Sequence, residues 1–318
     1  MQDVLQTVAG LVLLVAAADL LVKGASSVAA RYNVSPLMIG LTVVSLGTSM
    51  PEMLVSVTAG LQGSADLAVA NVLGSNLFNL LVVLGVAAMI YPLHVHNSTV
   101  VSEIPFSLSA AILLGFLANA ALFTAKQELS ISRLDGGILL LFFLLFMLYI
   151  FSLSSSASDG DLPAPVTRAV SRSVALIVAG IAGLYLGGEW AVEGAVAIAR
   201  NWGVDDAVIG LTIIAIGTSL PELTASAAAA MRKEADIAVG NVVGSNIFNI
   251  LWILGVTASI KPLPFDVISN LDIVMVIAAT MLILMAVVTS RSATISRLWG
   301  GVFACIYLAY MVYVVQRS

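Results

Sequence analysis

Charged residues are scarce in this chain of 318 residues, because Asp, Glu, Lys and Arg together make up only 10% of it. Soluble domains carry about a quarter charged residues, whereas here 60% of the residues are hydrophobic and the mean hydropathy is +1.08. No stretch resembles the basic patch of a nucleic-acid-binding protein. We therefore expect an integral membrane protein whose surroundings are the lipid bilayer, with no nucleic-acid partner and no obligate protein partner implied.

Cysteine and histidine are almost missing. The single cysteine, Cys305, excludes an internal disulfide and a cysteine-based metal cluster, and we expect it to be a small packing residue. His94 and His96 form a His-x-His pair, but a metal site needs a third ligand, so metal binding there is the minor interpretation. Neither histidine lies within an apolar run where it could activate a serine. We therefore expect no enzyme activity and no cofactor.

Long apolar runs alternate with short polar breaks along the whole sequence. Each run is close to the roughly 20 residues that cross a bilayer as a helix, and none has the period-two pattern of a membrane barrel. The pattern predicts an all-α integral membrane protein with about ten transmembrane helices. The predicted spans are Val4–Ala30, Pro36–Leu61, Asp66–Ile90, Val100–Phe123, Leu134–Leu153, Ser173–Arg200, Asp206–Met231, Asp236–Ile260, Ile268–Thr289 and Leu298–Val315.

The sequence contains an internal repeat. The string Gly-Thr-Ser-Met-Pro-Glu that ends at Glu52 returns as Gly-Thr-Ser-Leu-Pro-Glu ending at Glu222, a shift of 222 − 52 = 170 residues. The same shift relates Pro92 to Pro262, which indicates a duplication. Five spans separate equivalent residues, and because five is odd, the halves are predicted to be inverted repeats. The predicted parts are a five-helix repeat 1–153 (repeat core about 36–92), a cytoplasmic linker 154–172 and a second repeat 173–318 (core about 206–262).

Each copy of the repeated string places a carboxylate and a proline inside an apolar span. An intramembrane carboxylate marks a binding or transport site by default, and the proline frees a backbone carbonyl, which membrane-buried chain tolerates only where it lines a cavity or is packed in protein. Thr48 lies four residues before Glu52 and therefore on the same helical face. The next span of each half carries polar residues at the same spacing: Asn71, Ser75 and Asn79, and Asn241, Ser245 and Asn249.

Carboxylate, hydroxyl, amide and carbonyl oxygens without thiol or imidazole suit the hard cations Ca²⁺ and Na⁺ rather than zinc or copper. Magnesium is less favoured, because it demands tight octahedral geometry. Two carboxylates would be neutralised by one Ca²⁺ or by two Na⁺, so competition for the same oxygens predicts exchange. Asn71 and Asn241 fit equally well as hydrogen-bonding residues between helices.

These motifs resemble the cation/calcium exchanger superfamily, and specifically the prokaryotic sodium/calcium exchangers. The resemblance rests on the string ending at Glu52 with Gly-Ser-Asn-Leu-Phe-Asn ending at Asn79, and on the string ending at Glu222 with Gly-Ser-Asn-Ile-Phe-Asn ending at Asn249. It implies Ca²⁺ ligation by Glu52, Glu222, Thr48 and Thr218. It also implies Na⁺ sites drawing on Ser45, Ser49, Ser75, Ala215, Ser219 and Ser245, with Asn79 and Asn249 lining the centre.

The function that follows is a secondary antiporter that extrudes Ca²⁺ against Na⁺ by alternating access, electrogenic if a third Na⁺ binds neutral oxygens. In potassium-dependent members of the resembled superfamily an aspartate at the position of Asn249 is associated with potassium use, so Asn249 disfavours potassium dependence. A Ca²⁺/H⁺ antiporter of the same superfamily is the alternative, because a buried glutamate can bind a proton. A cation channel is the alternative from a different functional class, although a continuous pore would not need two inverted broken helices.

Lysine and arginine positions indicate the orientation in the cell membrane. With the amino terminus outside, more basic residues fall on the inner side than on the outer side, as expected for cytoplasmic loops. We therefore expect a multi-pass protein with an extracellular amino terminus. The residues then inside are Lys23, Arg31, Arg168, Arg172, Arg232, Lys233, Arg291 and Arg297; those outside are Lys126, Arg133, Arg200, Lys261 and Arg317. Asp19 and Glu189 share one repeat position and fit either structural charges or ion-entry charges.

Overall fold

The computed structural model describes residues 2–32, 34–96, 99–123, 129–154, 169–203, 213, 215–267, 269–290 and 292–317. The helices of the first half are α1 Gln2–Tyr32, α2 Pro36–Ile39, α3 Ser45–Thr48, α4 Met50–Gln62, α5 Ala65–Phe78, α6 Leu84–Ile90, α7 Ile104–Ala118 and α8 Arg133–Ser154. Those of the second half are α9 Val170–Asn201, α10 Ala215–Thr218, α11 Leu220–Met231, α12 Ala235–Ile247, α13 Leu254–Ile260, α14 Ser269–Val288 and α15 Arg297–Arg317.

Short irregular helical turns continue several of these helices. The π-helical turns are Gly40–Val44 between α2 and α3, Asn79–Val83 between α5 and α6, Thr99–Glu103 before α7 and Phe248–Ile253 between α12 and α13. Ala120–Phe123 is a 3₁₀ turn, and the two-residue strands are β1 Leu93–His94, β2 Ser130–Ile131, β3 Leu263–Pro264 and β4 Thr294–Ile295. The chain is therefore helical nearly throughout the described ranges.

The predicted membrane-spanning character is confirmed. Within the described residues, eight helices are long and apolar enough to cross a bilayer, and the pair Pro36–Thr48 and Met50–Gln62, bent by 50°, forms one further broken span. The remaining predicted span, Asp206–Met231, is described only from Ala215 onward, as α10 and α11. Residues 204–212 and 214 lie outside the described residues.

Local sequence explains where the broken span begins and ends. The hydroxyl of Ser35 accepts a hydrogen bond from the Met38 amide at 3.3 Å, and Pro36 occupies the first turn of α2, where its missing N–H is not needed. At the other end, Gly63 ends α4 with φ 92°, a left-handed conformation that glycine adopts without a steric penalty. The span is therefore fixed at both ends by capping residues.

The two halves exchange their last helices. Helix α8 of the first half packs on α13, and α15 of the second half packs on α6. The strands follow the same rule, since β1 pairs antiparallel with β4 and β2 with β3. Each half therefore buries part of its core only against the other half.

The third span of each half forms the centre of the bundle. In the span Ala235–Ile260, 94% of the most apolar window is buried inside the protein, against 22% for Val170–Asn201, which contains α9. The polar stripes of α5 and α12 therefore face other helices and not lipid. The helices α1, α8, α9 and α15 are the least buried of these spans, with 22–28% of the equivalent window buried.

Two predictions about the edges of the fold need correction. Cys305 is exposed on the outer surface of α15, so it is not the buried packing residue expected from its type. The predicted linker 154–172 is shorter, because α8 continues through Ser154 and α9 already begins at Val170. Positions 155–168 of that linker lie outside the described residues.

Candidate cation-binding site

A serine interrupts each broken helix. Ser49 has φ −83° and ψ 10° between α3 and α4, and Ser219 has φ −94° and ψ 7° between α10 and α11. The proline two residues later sits in the first helical turn, where no intrahelical bond is lost. Glu52 and Glu222 lie in the same first turns. Each carboxylate is therefore next to a helix N-terminus, whose dipole favours negative charge.

The two carboxylates are joined crosswise by the interrupting serines. Ser49 Oγ donates to Glu222 Oε1 at 2.7 Å, and Ser219 Oγ donates to Glu52 Oε1 at 2.9 Å. All four residues are fully buried. Each half therefore supplies the hydroxyl that orients the acid of the other half, and both acids belong to one cluster at the interface between the halves.

Buried oxygen atoms without hydrogen-bond partners among the described residues occur on both acids and on predicted site residues of the following helices. They are Glu52 Oε2, Glu222 Oε2, Ser75 Oγ, Asn79 Oδ1 and Asn249 Oδ1. Buried polar atoms are rarely left unpaired in proteins, and where they are, water or an ion commonly satisfies them. Carboxylate, hydroxyl and amide oxygens are the ligands of hard cations. This donor set fits Ca²⁺ or Na⁺.

The other predicted site residues flank this cluster. Ser245 Oγ lies 3.5 Å from Glu222 Oε1. The Thr48 hydroxyl donates to the Ser45 carbonyl at 3.2 Å and to Asn241 Oδ1 at 3.1 Å. The Ser45 hydroxyl donates to the Leu41 carbonyl at 2.8 Å, so that hydroxyl is already engaged. Ala215 begins α10, the short helix that ends at Thr218.

Asn71 and Asn241 fasten the broken helices to their neighbours. Asn71 Nδ2 donates to Ser56 Oγ at 2.9 Å and lies 3.4 Å from the Glu52 carbonyl. Asn241 Nδ2 makes the equivalent contacts to Ser226 and to the Glu222 carbonyl at the same distances. Of the two roles that fitted these asparagines, the geometry favours interhelical bonding. Ser56 and Ser226 were missed, although each follows a glutamate by four residues and thus shares its helical face.

A cavity of about 200 Å³ lies beside the cluster. It is bounded by α4, α9 and the second broken helix, and its lining includes Pro51, Tyr185, Glu189, Thr218 and Pro221. Thr218 is 9% exposed, whereas its repeat equivalent Thr48 is 0% exposed. The cluster is therefore closer to open space at Thr218 than at Thr48.

Asp19, the repeat equivalent of Glu189, is in a different environment. Its carboxylate contacts Lys23 Nζ at 2.5 Å and also accepts hydrogen bonds from Arg232, the residue that follows α11. The repeat positions of that lysine and arginine are Glu193 and Gln62 (shift 170), which cannot form the same ion pairs. Of the paired acids, Asp19 is thus a structural charge between α1 and α11, whereas Glu189 lines the cavity.

His94 and His96 do not gather a metal-ligand set. His96 Nε2 lies 3.3 Å from Asp236 Oδ2, and the His94 and His96 rings are 5.7 Å apart. No group of three or more histidine, cysteine or acidic side chains that could hold a metal ion occurs in the part of the chain that the structure describes. His96 therefore connects the segment after β1 to the first turn of α12, whereas His94 lies 3.5 Å from Thr294 of β4.

Asn76 and Asn246 were also missed by sequence reasoning. Each directly follows a predicted site serine, and each is fully buried. Asn76 Nδ2 donates to the Asn246 carbonyl at 3.2 Å, and Asn246 Nδ2 donates to the Asn76 carbonyl at 3.3 Å. The only sequence signal was that both asparagines recur at the 170-residue shift.

Comparison with known proteins agrees with this architecture. The sodium/calcium exchanger protein family matches residues 3–152 and 172–316. The CaxA protein of Alkalimonas amylolytica is 41% identical over 312 residues, covering 95% of both chains. Sodium/calcium exchanger MaX1 of Methanosarcina acetivorans is 32% identical over 336 residues, covering 95% of both chains.

A solved structure extends the likeness to the fold. The sodium-calcium exchanger NCX_Mj, in crystals soaked with 2.5 mM Na⁺ and 0.1 mM Ca²⁺, superimposes with a TM-score of 0.81 and 30% identity over 98% of both chains. The family match spans nearly the whole chain, and the relatives share its length. This chain is therefore a member of the sodium/calcium exchanger family.

Proposed function

We propose that this protein exchanges Na⁺ for Ca²⁺ across the membrane by alternating access. The observation that carries the proposal is the crosswise pairing of Ser49 with Glu222 and of Ser219 with Glu52, which brings two fully buried carboxylates into one cluster. Removing one partner of a buried ion pair costs about 3–5 kcal/mol, so two ionised acids in this cluster need cations. One Ca²⁺ or two Na⁺ supply the same charge, and the two ions therefore compete.

We infer the direction of transport, extrusion of Ca²⁺, from the proposed charge balance. A third Na⁺ bound by neutral oxygens adds one positive charge to the cycle, so the cycle carries net charge across the membrane. The membrane potential then contributes about 2.3 kcal/mol per charge per 100 mV. With an inward Na⁺ gradient and a negative interior, both terms favour expulsion of Ca²⁺.

The roles of the site residues follow from their chemistry. In the proposal, Glu52 and Glu222 bind Ca²⁺ with their carboxylates, and Thr48 and Thr218 contribute the backbone carbonyls that directly precede the helix breaks. Asn79 and Asn249 line the centre with amide oxygens. The Na⁺ sites draw on hydroxyl or carbonyl oxygens of Ser45, Ser49, Ser75, Ala215, Ser219 and Ser245.

Alternating access rests on the inverted repeats proposed for 1–153 and 173–318. In the proposal, the cavity beside Thr218 supplies a route from one side. Its repeat counterpart Thr48 is buried, and Asp19, the repeat counterpart of the cavity-lining Glu189, is held by basic residues. If the first half adopted the environment of the second and the second that of the first, Thr48 would lie beside a cavity and Thr218 would be buried. The cluster would then be open to the other side of the membrane. We assign the amino terminus to the outside from the distribution of lysine and arginine. Labelling of an amino-terminal tag by a membrane-impermeant reagent in intact cells tests this assignment.

The defining experiment is ⁴⁵Ca²⁺ uptake by proteoliposomes loaded in turn with Na⁺, with K⁺ and with a proton gradient. Uptake is expected only with internal Na⁺, and a potential imposed with valinomycin is expected to change its rate. Uptake driven equally by the proton gradient would instead identify a Ca²⁺/H⁺ antiporter. Uptake independent of the internal cation would indicate a channel.

Ser49→Ala is expected to raise the KM for Ca²⁺ about tenfold, because it removes a hydrogen bond to a charged group worth about 1.5–3 kcal/mol. Ser219→Ala is expected to act in the same way through Glu52. The matched control is Ser109→Ala, because Ser109 also lies in a membrane helix but donates only to the Pro105 carbonyl. Equal KM values for Ser49→Ala and this control would contradict the proposed orientation of Glu222.

A further inference from the structure

Asn76 and Asn246 lie opposite each other where the two halves meet. They are repeat equivalents, since 246 − 76 = 170, and each side-chain amide donates to the other residue's backbone carbonyl, at 3.2 and 3.3 Å. Both are fully buried. These reciprocal bonds join α5 to α12 one residue beyond Ser75 and Ser245.

The bond to the carbonyl fixes which way the Asn76 amide points. A backbone carbonyl can only accept a hydrogen bond, so Nδ2 of Asn76 must face the Asn246 carbonyl and Oδ1 must face away from it. Asn249 Nδ2 donates to that Oδ1 at 3.0 Å. Because two oxygens cannot form a hydrogen bond with each other, the contact also fixes the Asn249 amide, with its NH₂ group toward Asn76.

The Asn249 oxygen is thereby left for another ligand. Its Oδ1 is buried and has no hydrogen-bond partner among the described residues. Asn249 lies four residues after Ser245 and so on the same helical face, and Ser245 Oγ lies 3.5 Å from Glu222 Oε1. The fixed orientation thus offers an oxygen, not an NH₂ group, on the face that contacts the carboxylate cluster.

The equivalent contact is missing in the first half. Both Nδ2 and Oδ1 of Asn79 lack hydrogen-bond partners within the described ranges, and so does Oδ1 of Asn246. Asn246 therefore shares the reciprocal backbone bonds with Asn76 but does not orient a neighbouring amide. Comparing Asn76 with Asn246 therefore distinguishes a residue that orients a neighbouring amide from one that only joins the two helices.

We infer that Asn76 is a positioning residue that holds Asn249 with its amide oxygen toward the transported cation. The inference rests on the proposed Na⁺/Ca²⁺ exchange and names a residue that controls affinity at that site. An amide oxygen ligates a hard cation, whereas an NH₂ group can only donate. Loss of the contact lets Asn249 turn its NH₂ group toward the site, which weakens cation binding.

The test uses the full-length protein in proteoliposomes, with Ca²⁺ affinity measured by calorimetry and by the KM of Na⁺-driven ⁴⁵Ca²⁺ uptake. Asn76→Leu keeps the side-chain volume but removes the orienting oxygen, and it is expected to weaken Ca²⁺ binding about tenfold. Adding Asn249→Asp is expected to restore affinity to within about threefold of Asn249→Asp alone, because the two oxygens of a carboxylate are equivalent in either orientation. The control Asn246→Leu loses the same backbone bond and is expected to change affinity less than about threefold.

Equal losses of Ca²⁺ affinity in Asn76→Leu and Asn246→Leu would overturn the positioning role, and so would a failure of Asn249→Asp to restore affinity. Both results are expected if the bonds of Asn76 only hold the two helices together. Size-exclusion profiles check that each variant folds. If Asn76→Leu aggregates, Asn76→Ala is used in its place, both alone and combined with Asn249→Asp. If the wild-type protein neither binds Ca²⁺ nor exchanges it for Na⁺, both the proposed function and this inference fail. A wild-type exchanger whose Asn76 variants bind Ca²⁺ normally would remove the inference alone.

Discussion

Glu52→Gln and Glu222→Gln are each expected to abolish Na⁺-driven Ca²⁺ uptake while the protein still inserts and folds. Each change removes one of the two buried carboxylates that are proposed to neutralise Ca²⁺. The loss of one charge from a buried, paired set costs about 3–5 kcal/mol, equivalent to at least about 100-fold in affinity. The measurement is ⁴⁵Ca²⁺ uptake into Na⁺-loaded proteoliposomes, normalised to reconstituted protein.

Two other buried acids serve as matched controls. Glu103 is fully buried and accepts a hydrogen bond from Tyr149 at 3.1 Å, and Asp272 accepts one from Tyr310 at 2.8 Å. Both lie in membrane spans but outside the carboxylate cluster. Glu103→Gln and Asp272→Asn are therefore expected to retain uptake within a few-fold of wild type. If they were as inactive as Glu52→Gln, burial of any acid would explain the loss, and the proposed ligands would not be special.

The sequence was sufficient to predict the parts of the site that lie within one helix. A proline after a glycine and a serine inside an apolar run predicts a broken span, and the first span of this kind is indeed bent at Ser49. Spacing by four residues predicts that Ser75 and Asn79 share a helical face, because helical periodicity fixes which residues lie on one side. The repeat shift of 170 then transferred each of these predictions to the second half.

Contacts between the halves could not be predicted in this way. Periodicity does not say which face of one half meets which face of the other. The hydrogen bond from Ser49 to Glu222 and the reciprocal bonds between Asn76 and Asn246 could therefore be identified only from the three-dimensional packing. The exchange of α8 and α15 between the halves was missed for the same reason. Cys305 was misassigned because residue type predicts burial against water, whereas the outer face of a membrane helix favours any apolar side chain.

Gly10→Leu is expected to cause a large loss of stability in the outer helices. A Cβ atom at Gly10 would lie 2.4 Å from the Ala191 amide nitrogen and 2.7 Å from the Gly187 carbonyl oxygen, both backbone atoms of α9. Backbone cannot rotate away as a side chain does, so α1 and α9 must separate. Overpacking of this kind costs typically about 1–3 kcal/mol, and more where backbone must move.

The effect is expected to reach the proposed cation site. Helix α1 packs on α11, and α9 packs on α3 and α10, and these are the helices next to the two breaks. We therefore expect Gly10→Leu to lower the folded yield and the midpoint of thermal unfolding, measured by fluorescence-detected size exclusion after heating, and to lower ⁴⁵Ca²⁺ uptake in parallel. Gly137→Leu is the matched control, since a Cβ there meets no atom within 4 Å on the surface of α8. Because both variants add the same side chain to a membrane helix, equal unfolding midpoints would contradict the close contact between α1 and α9.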